Sequence, residues 1–460
     1  MKASKRELAF AERYFHEVRH TTLNPGGPGV VRIHLIPPKL TGNEIEPSVA
    51  IINGMDMIPV GKSWSILLTA LMERINPYHG REITEEEADK ITDLACSDVR
   101  KVYPLITKKR LKADIARIMQ TFTQVAYHEP VDEAIGFMSI GEYAPYMIAP
   151  HRMDLMVSAM TKGGSWHCNQ NCIHCYAAGQ NNASEEELGT DDWKKIIDKC
   201  REAGIPQVTF TGGEPTMRED LIELISYAGW FVTRLNTNGI KLTKEYCRQL
   251  VEASLDSIQI TFYSENEEVH DRLVGARRYA ETVAGIENAL EAGLSVSVNT
   301  PICTLNRDYV KTLQFLHEKG VTYVTCSGLI TTGNAAGEES IGLQLEHAEL
   351  RDILRESVKY CFENGMEINF TSPGWVGDEF CKELGISTPN CGACLSNMAV
   401  TPGGNVVPCQ SWLSGDVLGN MLTDDWEGIW DNEKCRERRA FSADMRCECP
   451  LRIQKGGQSK

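Results

Sequence analysis

The chain has no run of apolar residues long enough to cross a bilayer, and Met1 to Arg6 lead into a charged stretch instead of an apolar signal core. The expectation is a cytoplasmic protein with no membrane partner. It also lacks a basic excess. Against 47 Lys and Arg stand 63 Asp and Glu, a formal net charge of −16, the reverse of the footprint that a nucleic-acid backbone demands. No nucleic-acid partner is expected. At 42% hydrophobic and 24% charged residues the composition is that of a globular protein, and 460 residues exceed one ordinary core, so two or three domains are expected.

Cysteine, by contrast, is plentiful for a reducing compartment, with sixteen residues. With no export signal they do not read as a disulfide framework. Seven of them, Cys96, Cys200, Cys247, Cys303, Cys326, Cys361 and Cys381, are scattered on apolar faces and read as buried structural thiols. Six fall after residue 390. The other three form Cys168-Asn169-Gln170-Asn171-Cys172-Ile173-His174-Cys175, whose three-then-two spacing points to a metal site. An iron–sulfur cubane usually takes four thiolates, one for each iron, so three thiolates leave one iron open to a small molecule. A structural zinc loop competes with this reading, although zinc sites are normally paired Cys-x2-Cys units closed by a fourth ligand.

From Leu155 the pattern alternates between strand and helix. Apolar strands are read at 155–160, 206–210, 231–236, 257–263, 295–301 and 322–330, with helical periodicity between them; this argues a parallel sheet with helices outside it. After about residue 367 the alternation stops at a strand-like Glu367-Ile368-Asn369-Phe370. The second strand ends in Thr211-Gly212-Gly213-Glu214-Pro215, where two glycines allow close backbone approach and a carboxylate can meet a cationic amine. The third ends in Asn236-Thr237-Asn238-Gly239, the fourth carries Thr261, and Asn299 is the polar residue of the fifth.

The Cys-x3-Cys-x2-Cys loop, followed about forty residues later by Gly212-Gly213-Glu214-Pro215, resembles the radical S-adenosylmethionine (radical SAM) superfamily. The resemblance implies an α/β fold with a partial (β/α)6 barrel over residues 151–366, its chemistry at the carboxyl ends of the strands. It implies a [4Fe–4S] cluster on Cys168, Cys172 and Cys175, with the amine and carboxylate of S-adenosylmethionine chelated to the open iron. Gly212, Gly213, Glu214 and Pro215 would surround the amino group, Asn236 and Thr261 would line the cofactor pocket, and Asn299 would meet the ribose or the methionine carboxylate. One electron, from a flavodoxin- or ferredoxin-type partner, would cleave the cofactor to a 5′-deoxyadenosyl radical that abstracts hydrogen from a substrate. His270-Asp271 and Gly275 stand where the family often has a His-Asp pair, with a solvated helix start as the alternative. No catalytic acid or base is singled out.

The later cysteines read Cys391-x2-Cys394, Gly404-x4-Cys409, Cys435, Cys447 and Cys449, a pattern that resembles the SPASM or twitch auxiliary-cluster extension and covers 367–460. The dense late run of a two-cluster extension is missing. One auxiliary [4Fe–4S] cluster is therefore expected, on Cys391, Cys394, Cys409 and one of Cys447 or Cys449; a zinc ribbon is the alternative.

Ahead of the barrel, residues 1 to about 20 read as an amphipathic helix broken by Asn24-Pro25-Gly26-Gly27-Pro28-Gly29. Strands follow at Val30 to Ile36, Val49 to Ile52 and Met55 to Val60, with Asn53-Gly54 as a turn. Helices are expected from Trp64 to about Arg74, from the capping box Thr84-x-x-Glu87, and from Leu111. This order resembles the winged-helix recognition domain of peptide-modifying radical enzymes, giving a small α+β domain over 1–130 and a linker at 131–150. A plain helical cap is the alternative. The expected function is modification, such as cross-linking, of a ribosomally made peptide. The alternatives are tetrapyrrole (haem) side-chain chemistry and a non-catalytic metal-binding interaction protein.

Overall fold

The computed structural model describes residues 2–24, 29–78, 81–132, 135–415 and 417–452. Residues 25–28 of the expected break and 453–460 lie outside the described residues. The chain forms two compact units, Met1–Ala149 with Arg201–Pro206, and Pro150–Cys200 with Gln207–Lys460.

The first unit opens with helix Lys5–Tyr14, started by a reciprocal cap in which Ser4 Oγ accepts from Glu7 N and the Glu7 carboxylate accepts from Ser4 N. The helix is shorter than expected. Phe15 leaves the helical region, and Arg19–Leu23 becomes strand β1, antiparallel to β2, Val31–Ile36. Thr21 and Thr22 favour extended backbone, and the partner that fixes it is about ten residues away, so helical periodicity alone misses it. Strands β3, Ser48–Ile52, and β4, Asp56–Val60, complete a sheet of order β1-β2-β3-β4. Asn53 and Gly54 both have positive φ, 47° and 68°, as a two-residue hairpin of this hand requires. Helices Lys62–Ile75, Glu85–Val102 and Lys108–Ala126 supply the rest of this core. The last of them buries Leu111, Ile115, Ile118, Phe122 and Val125, one stripe at helical spacing.

In the second unit, strands β5, Arg152–Ser158, β6, Gln207–Gly212, β7, Val232–Thr237, β8, Ser257–Thr261, β9, Val296–Pro301, and β10, Tyr323–Ser327, pair side by side in parallel. Helices connect them, among them Thr190–Glu202, Lys244–Glu252 and Tyr279–Glu291. The first strand starts earlier than its apolar run, because Arg152 and Asp154 belong to it. The parallel run also continues past its expected end: β11, Glu367–Phe370, pairs with β10. At the opposite side β12, Asn397–Val400, pairs in parallel with β5 and then turns back through β13, Asn405–Val407, and β14, Gly419–Asn420. Val400 and Ala399 thereby sit beside Leu155 and Asp154. The two cysteine-bearing segments are brought to the same sheet.

All seven scattered cysteines are buried. Among the described residues no helix is long and apolar enough to cross a membrane.

Candidate functional site

A cavity of about 560 Å³ opens at the carboxyl ends of β5 to β10 and reaches down into the sheet. Cys168, Cys172 and Cys175 line it from a loop after β5. That loop is pinned through its backbone. Asn171 N and Ile173 N donate to Val274 O and Leu273 O at the end of helix Glu267–Val274, at 3.0 and 3.1 Å. Asn334 N donates to Cys175 O at 2.9 Å, and Ser340 Oγ to Ile173 O at 2.7 Å. The helix ends at Gly275, with φ of 64°; a Cβ there would stand 2.2 Å from Asn171 O. Only glycine permits this approach, which accounts for Gly275.

Burial pushes all three loop thiols up, Cys168 to about 12 with help from the nearby Glu214 carboxylate. Thiols so shielded ionise when a metal takes the proton's place. His174 is buried beside Tyr263, and burial holds its imidazole down at about 4, so it is neutral at physiological pH.

Gly212 has φ of 134°, and a Cβ on it would meet Ser158 O at 2.2 Å, where the β5–β6 register shifts. The glycine pair lets the chain cross the end of β5 and bury Glu214. Burial raises the Glu214 carboxyl, and hydrogen bonds oppose that. Oε1 accepts from Thr216 N, Thr216 Oγ1 and Thr237 Oγ1, whereas Oε2 accepts from Asn238 N alone, at 2.8 Å. An ionised carboxylate offers about four acceptor positions, and the one with capacity left is on Oε2. A cation there would balance the desolvated charge.

Of the residues singled out in the sequence, Gly212, Gly213, Glu214, Asn236, Thr261 and Asn299 line the cavity; Pro215 is buried and does not. Asn236 Oδ1 is shielded from solvent without a hydrogen-bond partner, while Asn299 Oδ1 accepts from Thr325 Oγ1 at 2.9 Å. His270 and Asp271 do not line the cavity. His270 Nδ1 accepts from Tyr263 N, and Asp271 Oδ1 accepts from the backbone of Arg278 and Tyr279, so the pair ties β8 to its helices.

The later cysteines divide. Cys391, Cys409 and Cys449 line the same cavity as the first three, close enough for Cys391 and Cys449 to raise the Cys409 thiol further after burial, to about 12. Cys394 is buried outside the lining; it hydrogen-bonds Cys435, and it lies near enough to Cys409 for that thiol to raise it further, with Cys394 N donating to Pro408 O at 3.0 Å. The bond between the two thiols pulls Cys435 down against burial, and the Arg439 guanidinium, at 3.6 Å, assists. Cys447 donates to Val376 O at 3.0 Å, outside the cavity. Among the described residues no three His, Cys, Asp or Glu side chains gather as a single metal ion would need. Zinc would draw four donors to about 2.3 Å, whereas a cubane gives each thiolate its own iron.

Sequence reasoning missed Arg152, Arg234 and Tyr323, which also line the cavity. The signal was there: Arg234 lies two residues before Asn236, on the same face of its strand.

An open, partial barrel of parallel strands with one cysteine loop at its strand ends and a second cysteine field on the same sheet defines the class. Residues 167–316 match the radical SAM superfamily, and 391–450 match the SPASM iron–sulfur cluster-binding domain. The chain carries a radical SAM domain followed by a SPASM domain, which calls for S-adenosylmethionine, the [4Fe–4S] cluster that binds it, and auxiliary iron–sulfur chemistry. It is 30% identical to an Fe-coproporphyrin III synthase of Methanosarcina barkeri over 43% of this chain and 51% of that one. It therefore spans about half the length of that relative. An AdoMet-dependent heme synthase of the same organism is 28% identical over 62% of this chain and 85% of that one. Streptococcus suis SuiB, solved bound to precursor peptide SuiA, shares the fold at a TM-score of 0.58 and 14% identity, over 86% of this chain and 87% of that one.

Proposed function

We propose that the protein is a radical SAM enzyme that reductively cleaves S-adenosylmethionine and abstracts hydrogen from a ribosomally made peptide, which it cross-links or otherwise modifies. The observation that carries the first half is the convergence of Cys168, Cys172, Cys175 and Glu214 on one cavity. In this reading the three thiolates hold the cofactor-binding cluster, and Glu214 Oε2 accepts from the methionyl amine. Gly212 and Gly213 let the backbone lie against it, and Asn236, Thr261 and Asn299 contact the remainder. The cluster and cofactor, when bound, supply one electron and a 5′-deoxyadenosyl radical. The protein's own part is to orient the cofactor, shield it from water and present the substrate hydrogen. Cys391, Cys409 and Cys449 are the thiolates we assign to a single auxiliary cluster. A flavodoxin- or ferredoxin-type reductant and a cytoplasmic location complete the proposal.

The peptide substrate is supported by the fold likeness to SuiB, which extends over more of the chain than the synthase matches do. Residues 1–130, with a four-stranded antiparallel sheet and four α-helices among the described residues, are the part we assign to winged-helix-like peptide recognition. Tetrapyrrole side-chain chemistry is the second reading, supported by the identity to the two synthases.

The deciding experiment incubates the anaerobically reconstituted full chain with S-adenosylmethionine, dithionite and either a short peptide encoded beside its gene or iron coproporphyrin III. A peptide product of altered mass supports the main reading; a decarboxylated porphyrin supports the second. Within either reading Glu214→Gln is expected to weaken S-adenosylmethionine binding by about tenfold or more, since hydrogen bonds to charged groups contribute about 1.5–3 kcal/mol. Equilibrium binding to the reconstituted variant checks this, and an unchanged affinity would remove Glu214 from the amine site.

A further inference from the structure

Two arginines, Arg152 and Arg234, line the floor of the cavity, and the buried Asp154 carboxylate lies behind it. Arg152 and Asp154 lie on β5, and Arg234 on β7. The register sets Thr209 of β6 opposite both Asp154 and Arg234, so those two stand level, two strands apart, about 10 Å. Asp154 is already used. Its Oδ1 accepts from Arg152 Nε at 2.8 Å, and Oδ2 accepts from Arg152 Nη2 at 3.4 Å. Arg234 has no ion-pair partner among the described residues. Its Nη2 donates to Ser297 Oγ at 3.2 Å, and its Nε is cut off from solvent with nothing to bond. Burial, and then the charge on Arg152, push its guanidinium down from its usual range. A guanidinium remains charged there all the same, so the floor holds one uncompensated positive charge.

A half-buried guanidinium without a counter-ion is costly unless an anion completes it. The site is shaped for one. Arg234, Tyr323 and Gln259 line the same floor, and a guanidinium is a planar group whose donors pair with a carboxylate. A single negative charge with two coplanar oxygens matches both the charge and the planar group. A phosphate dianion would bring one charge too many. Glu214 and its donors lie three residues farther along, at the mouth, about 10 Å away. The anion at the floor is thereby separated from the cofactor's amine.

We propose that Arg234 is a substrate-binding residue that holds a carboxylate of the substrate at the cavity floor, so that the adjoining C–H bonds face the mouth. This deepens the proposed function and rests on it. The carboxylate belongs either to an acidic residue of a peptide or to an acid side chain of a tetrapyrrole, and the same chemistry serves both.

The test measures equilibrium binding to the reconstituted full chain of two probe pairs. One is iron coproporphyrin III and its tetramethyl ester; the other is an end-blocked alanine decapeptide with one central glutamate and its glutamine counterpart. Wild-type protein is expected to prefer the acid of one pair by tenfold or more, and the pair that responds identifies the source. Arg234→Gln is expected to remove that preference, and Arg234→Lys to keep part of it, which a merely structural role would not do. Equal binding of acid and neutral probes in the wild type overturns the proposal, as does a preference that survives in Arg234→Gln. If Arg234→Gln instead weakens S-adenosylmethionine binding, the anion at the floor is the cofactor's own carboxylate and the substrate assignment falls. An acid preference in a protein that forms no 5′-deoxyadenosine would remove the proposed function and leave the carboxylate site standing.

Discussion

Replacing Cys168, Cys172 and Cys175 together by alanine is expected to abolish 5′-deoxyadenosine formation and to lower the iron content from about eight per chain to about four. The loop that carries them is held by backbone bonds to Leu273, Val274 and Asn334 and by the Ser340 hydroxyl, none of which involves a thiol. The fold should therefore survive the substitution while the site does not. Because burial raises all three thiols, each must give up a proton to bind iron, and loading should weaken as the pH falls. Iron analysis after reconstitution in mildly acidic and in alkaline buffer checks the sign. Equal loading at both would mean that these thiols do not carry the iron. Retained cofactor cleavage in the triple variant would remove the radical reading altogether.

The second large effect concerns the auxiliary iron. Cys409→Ala and Cys449→Ala are each expected to cost most of the remaining iron, because Cys391, Cys409 and Cys449 share the cavity. Cys447→Ala should leave the iron content unchanged, since its thiol is turned to Val376 O. Cys394→Ala should also keep the iron, because its thiol serves Cys435. Iron analysis and the absorbance of the reconstituted protein separate these outcomes. A loss on Cys447→Ala or Cys394→Ala equal to that on Cys449→Ala would restore the ligand set expected from spacing. A value near twelve irons in the wild type would mean a second auxiliary cluster.

Much of the site was legible in the sequence because its motifs are local. A cysteine loop, a Gly-Gly-Glu turn and a polar residue closing each apolar strand are read within a few residues, and the parallel pairing of successive strands brings them together. Residues whose role depends on a distant partner were harder to read. Arg19–Leu23 is a strand only because Val31–Leu35 pairs with it. Asn397–Val400 joins the barrel sheet through β5, more than two hundred residues earlier. That pairing helps decide which later cysteines face the cavity, and spacing alone does not carry it. Arg152 and Arg234 were passed over because a charged residue in an apolar strand looks like an interruption. In a barrel it is an inward-facing position, and the period of two that would have revealed it is visible only once the strand's face is known.

The central claim is that the cysteine loop and Glu214 together form a centre that cleaves S-adenosylmethionine. Its most direct test is quantification of 5′-deoxyadenosine by liquid chromatography and mass spectrometry, after the anaerobically reconstituted full chain is mixed with S-adenosylmethionine and dithionite. 5′-Deoxyadenosine above background is expected even without added substrate, and none when dithionite is omitted. A protein carrying about eight irons that returns the cofactor intact would contradict the claim.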